Sequence, residues 1–289
     1  MKFTTNSRLT AASLLLALSL TGCTEKKPTP TPATIVPAAP EVNADARNYA
    51  DYTELVWGDE FAGSAIDPAK WGFDLGNNNG WGNQELEYYT NSGDNAFISN
   101  GNLVIQAKQQ SLSGFNYTSA RLLTKDKQNF KFGRVDVRAK LPKGQGIWPA
   151  IWLLGSDIDQ NKWPKCGEID IMELRGQEPN KILTTMHFSK SDGTPDQKGS
   201  ADQVLASGNF SDDFHLFSLV RSKDQLRFFL DGTLYYTFTS IDAPSLPINN
   251  PFFLILNVAV GGNFLGSPNA ATVFPQQMQV DYVRYLQYK

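Results

Sequence analysis

Apolar and polar positions alternate in short runs along most of the chain, each bounded by turn-forming residues. The clearest runs are 102–107 (NLVIQA), 132–139 (FGRVDVRA), 148–154 (WPAIWLL), 182–188 (ILTTMHF), 214–220 (FHLFSLV) and 252–258 (FFLILNV). Runs this short suit strands, and no window sustains the 3.6-residue period of a helix. At 226–238 (LRFFLDGTLYYTF) two such runs flank Asp231-Gly232, a pair suited to the positive φ of a two-residue hairpin turn. Many short antiparallel strands imply two packed sheets, a sandwich or jelly roll, rather than alternating βαβ units.

The N-terminal segment breaks this pattern. Residues 1–22 have a basic start (Lys2, Arg8) and an apolar run from Leu14 to Leu20 that is too short to span a bilayer, which reads as an export signal. The run ends in Leu20-Thr21-Gly22-Cys23, which resembles a bacterial lipobox and makes Cys23 the expected lipidation site. An ordinary signal peptide with an incidental cysteine is the alternative. Lipidation would anchor the chain to the cell envelope, in the outer membrane of a Gram-negative cell, without a spanning helix. Residues 23–50 are rich in proline and threonine and read as an extended tether, so the expected folded domain is 51–289.

Composition narrows the function. The formal charge of −3 becomes −5 once Lys2 and Arg8 are removed with the signal, which argues against nucleic acid as a partner. If Cys23 is lipidated, Cys166 has no disulfide partner, and a domain of this length can build its core without one. The two histidines lie 28 residues apart with no second cysteine in the domain, which excludes the usual zinc constellations. No cofactor is expected for catalysis, and the expected state is a monomer.

The chemistry is concentrated in Gly167-Glu168-Ile169-Asp170-Ile171-Met172-Glu173. Strand alternation puts Glu168 and Asp170 on one face and Ile169 and Ile171 in the core, leaving Glu173 out of phase. A regular strand would drive its carboxylate into the core, at high cost. One extra residue near Ile171-Met172, a β-bulge, would return Glu173 to the acidic face. A solvated acidic edge is the plainer reading of such a triplet. The surrounding tryptophans favour a site instead: Trp148 and Trp152 fall on one face of the preceding strand, with Trp163 close by and Trp81 in a Gly/Asn-rich loop. Aromatic faces of this kind suit pyranose rings, although core packing is the commoner role of any one tryptophan.

With WGDEF (57–61), GWGNQELEYYTN (80–91), KFGRVDVRAKLPKGQGIWPAIWLLG (131–155), NVAVGGNFLG (257–266) and VDYVRYLQ (280–287), the chain resembles glycoside hydrolase family 16 in its laminarinase branch, over essentially all of 51–289. The resemblance implies an all-β, concanavalin A-like jelly-roll sandwich with a concave cleft, and internal, retaining hydrolysis of β-1,3-glucan. It implies Glu168 as nucleophile, Glu173 as general acid/base, Asp170 as an electrostatic helper and His187 as a hydrogen-bonding member of the group. Asn83, Glu85 and Arg121 would contact sugar, Trp148, Trp152 and Trp163 would line the cleft, and Asn263 would reach the leaving-group side. A structural calcium held by Glu60, the Gly101 carbonyl and Asp281 is a further implication, consistent with calcium's preference for oxygen ligands. The chain departs from the pattern at Arg221 and Phe228, where tryptophan is common, and in the loop FSKSDGTPDQKG after His187. A mixed-linkage glucanase or galactanase of the same family, or a glucan-binding lipoprotein without turnover, are the competing readings.

Overall fold

The computed structural model describes residues 43–289. Cys23 and the signal segment lie outside the described residues. Every run read from the sequence is a strand: Asn102–Leu112, Gly133–Lys140, Ile147–Gly155, Lys181–Ser189, His215–Ser222 and Phe252–Val260. The hairpin forms between Gln225–Leu230 and Thr233–Thr239, with Asp231 and Gly232 at φ of 49° and 77°.

The strands make two sheets. One has ten strands, with Gly133–Lys140 and Gln276–Gln287 at its centre and the hairpin at one edge. The other has eight and runs Pro195–Gly199, Lys181–Ser189, Glu168–Leu174, Ile147–Gly155, Phe252–Val260, Arg121–Leu123, Gly72–Asp74, with Gln203–Val204 pairing beside Lys181–Ser189. The core between them joins Leu103, Ile105, Val135 and Val137 from the first sheet to Ile151, Leu153, Ile169, Leu254 and Leu256 from the second. Alternation leaves the opposite face of the eight-stranded sheet to line a cleft. This is the expected jelly-roll sandwich.

Two details depart from expectation. Folding begins before Asp51: Asn43 is buried and accepts a hydrogen bond from the Tyr288 amide, while Tyr49 packs on Phe229 with ring centroids 4.6 Å apart. Residues 43–50 therefore belong to the folded unit rather than to the tether, because their aromatic and amide side chains find partners at the chain's other end. Arg221, where the family often has tryptophan, is fully buried and donates to the carbonyls of Phe130, Ile248 and Asn250 while stacking over Phe252. Three main-chain acceptors and an aromatic face compensate its desolvation.

Candidate active site

The acid strand, Glu168–Leu174, carries the expected bulge. Against Ile147–Gly155 its register runs Asp170↔Trp152 and then Met172↔Ile151, and against Lys181–Ser189 it jumps between Asp170 and Glu173. Ile171 and Met172 consequently both enter the core, and Glu173 returns to the face of Glu168 and Asp170. That face is not a solvated edge. Asp170 is 3% exposed and Glu173 9%, at the floor of a cleft of about 790 Å³.

Each carboxyl has its own partner. Trp163 Nε1 donates to Glu168 at 3.0 Å and Trp148 Nε1 to Glu173 at 3.1 Å. His187 is paired in register with Glu168, and its Nε2 lies 3.2 Å from Asp170 and 3.7 Å from Glu168. Burial, reinforced by the Asp170 charge, pushes both Glu168 and Glu173 up to about 8, and burial raises Asp170 well above the usual carboxylate range. Crowded acids in a cleft floor therefore keep protons near neutrality. The two glutamates rise together, so the division of labour between them belongs to the coupled group rather than to either acid alone.

The walls gather the other expected residues. On the Phe252–Val260 side, Arg121 lies between the rings of Trp81 and Trp152, 4.5 and 4.7 Å from their centroids, and is held by Asp74 at 3.0 Å. Trp152 Nε1 donates to Asn257 at 2.7 Å, and Asn83 and Glu85 complete this wall. Gly261 and Gly262 make the wall possible: both have positive φ, and a Cβ would lie 2.6 Å from Leu86 and 2.9 Å from the Asn83 carbonyl respectively.

Asn263 lines the cleft beside Phe264, and its main-chain amide donates to Asn83 O at 2.7 Å on the tryptophan-bearing side of the acids. The far side is built by Thr185, His187 and the segment 195–197, from the loop that departs from the family pattern. Sequence reading also passes over Phe264, which packs on Trp148 at 4.7 Å, and Asn257. Asn257 left a signal, being the one polar residue in the buried run FFLILNVAV.

The calcium expectation does not fit the side chains. Both Glu60 oxygens are held by Arg284 at 2.8 Å, and Asp281 accepts from Arg138 at 2.6 Å, so guanidinium groups already supply the positive charge. Ligand atoms of Glu168, Asp170 and His187 lie within 4.8 Å of one another, a spacing open to a divalent cation.

The sequence profile described as "Glycosyl hydrolases family 16" matches residues 83–284. A glucan endo-1,3-beta-glucosidase A1 from Niallia circulans is 41% identical over 255 residues, 80% of this chain but 37% of that protein. A beta-glucanase from Rhodothermus marinus is 40% identical over 258 residues, 84% of this chain and 88% of that one. Among solved structures, the laminarinase catalytic domain of Thermotoga maritima MSB8 superposes with a TM-score of 0.77 at 42% identity, covering 83% of this chain and 99% of that domain. The bulged acid strand, the tryptophan-lined cleft and these matches together place the chain in glycosyl hydrolase family 16.

Proposed function

We propose that the chain hydrolyses β-1,3-glucan internally, with retention of configuration. The observation that carries this reading is the bulge, which turns three carboxyls onto one cleft floor between tryptophan partners. Relatives named as endo-1,3-glucanases and laminarinases support the linkage. In the first step the Glu168 carboxylate attacks the anomeric carbon as the glycosidic C–O bond breaks, and Glu173 gives its proton to the departing oxygen. Glu173 then takes a proton from water, whose oxygen attacks the same carbon and releases Glu168. Asp170 and His187, in contact between the two, hold the charge and orientation of the nucleophile. Trp152 and Arg121 offer a platform for the sugar chain.

A product profile on laminarin, lichenan and agarose tests the substrate, and NMR of the first-formed anomer tests retention. Laminarin should give β-configured oligosaccharides; an α anomer first, or faster cleavage of lichenan or agarose, would refute this reading. Glu173→Ala with an activated aryl glucoside and azide should give a β-azide, while Glu168→Ala should not.

The proposal extends to placement. Export and acylation at Cys23 follow from Leu20-Thr21-Gly22-Cys23 and the tether. Cys23→Ala should release or strand the protein, and an unmodified wild-type N-terminus in the medium would end the idea.

A further inference from the structure

A second pair of acids lies in the cleft wall, outside the chemistry above. Glu85 and Glu87 are two residues apart in an extended segment, so their side chains leave the backbone on the same side. The segment is pinned to the end of Phe252–Val260: the Leu86 amide donates to Val260 O at 2.8 Å, and Glu85 bridges Gly261. Glu87 is fully buried, and its Oε2 accepts the Val260 amide at 2.6 Å. Its other oxygen, Oε1, is equally buried and meets no N–H or O–H donor, and it shares its side of the segment with the Glu85 carboxyl. Two ionised carboxylates placed there would repel each other; one proton between them makes a hydrogen bond.

We propose that Glu87 is a positioning residue that holds this proton and donates it in a hydrogen bond to Glu85, leaving Glu85 as an oriented carboxylate acceptor for sugar hydroxyls. Glu87 is the better holder because it has no exposure, whereas Glu85 opens to the cleft and faces Arg121. The other groups facing the pair are Tyr89, whose hydroxyl donates to Glu85 Oε2 at 3.3 Å, Asn83, and Arg121, which is itself engaged by Asp74. Burial and the Glu85 charge raise Glu87 well above the ordinary carboxylate range, in agreement with the geometry. The contact reaches the sugar platform: Asn257 donates to the Tyr89 hydroxyl at 3.1 Å and itself accepts from Trp152. Loss of the proton at alkaline pH would set two charges against each other and turn Glu85 away from its sugar-facing position.

The inference rests on the proposed glucan hydrolysis for one of its two tests. In the first, KM and kcat for laminarin are followed from about pH 6 to about pH 10 for wild type, Glu87→Gln and Glu87→Leu, a window above the unperturbed glutamate range. Glutamine keeps a donor that cannot ionise, so its KM should match wild type at neutral pH and stay flat where the wild-type KM rises several-fold. Leucine should raise KM roughly fivefold at every pH, with a smaller effect on kcat. An alkaline rise of KM in Glu87→Gln equal to that of wild type, or a neutral KM for Glu87→Leu equal to that of Glu87→Gln, would overturn the proposal. The second test does not depend on turnover or on the leucine variant folding. The neutral-pH infrared difference between wild type and Glu87→Gln should contain the carbonyl band of a protonated carboxylic acid, and its absence would also overturn the proposal. Failure of wild type to cleave laminarin would refute the proposed function and leave the infrared result to decide this one.

Discussion

Replacing Glu173 by glutamine should abolish turnover and stabilise the fold, by an amount that grows as pH rises from about 5 to about 8. The folded state holds Glu173 up at about 8 through burial and the Asp170 charge, against 4.5 for a free glutamate. A carboxyl raised in this way is protonated more readily folded than unfolded, so its ionisation subtracts stability as pH climbs from about 4.5 to about 8. The ceiling, 3.5 pH units at about 1.36 kcal/mol each, is about 5 kcal/mol above pH 8, falling to about 0.8 kcal/mol at pH 5. Water in the cleft and relief of Asp170 lower that ceiling, and a realised gain of about 2 kcal/mol corresponds to a Tm rise of roughly 4–8 °C for a domain of this size. Calorimetry of wild type and Glu173→Gln at pH 5 and pH 9 measures it. The difference in Tm should be small at pH 5 and appear at pH 9. An equal shift at both values would mean that a packing change, not a buried charge, distinguishes the variant, and the electrostatic account of the acid strand would fail.

Arg221→Leu should cost about 3 kcal/mol or more, since three main-chain carbonyls lose their charged donor, and a Tm fall with kcat unchanged below the transition would confirm a purely structural clamp. Cys166 is fully buried and its thiol is pushed up to about 12, so native protein should resist iodoacetamide at neutral pH and Cys166→Ser should keep activity within about tenfold, or 1.4 kcal/mol. Rapid alkylation of the folded protein would contradict its placement. Trp152→Phe keeps a ring but leaves Asn257 Oδ1 without its donor, so KM for laminarin should rise more than kcat falls; an unchanged KM would remove Trp152 from the platform.

The strands were legible because burial on one face imposes a period on the sequence, and Asp231-Gly232 announced its own turn. The bulge was legible for a similar reason: a glutamate out of phase between Ile171 and Leu174 has no cheaper solution than an extra residue. The protonated contact between Glu85 and Glu87 was not legible. Their spacing is that of any strand, and the proton depends on Val260 and Gly261, more than 170 positions away, closing over them. Calcium failed at Glu60 and Asp281 because an acid pattern does not reveal which arginines reach it, and Arg138 and Arg284 do. The early start of the fold was hidden by composition: Asn43 and Tyr49 sit beside the proline-rich tract, yet their partners, Tyr288 and Phe229, lie at the other end of the chain.

That last pairing has a topological consequence. Asn43 meets Tyr288, the Thr53 amide donates to Gln287 O at 3.0 Å, and Glu54–Asp59 runs antiparallel along Gln276–Gln287, so the first and last described segments lie side by side. The folded unit is nearly a closed circle. A short linker could join its ends and new ends could be opened at the exposed Asp231-Gly232 tip, giving a circular permutant whose strands, sheet order and cleft are those of the parent.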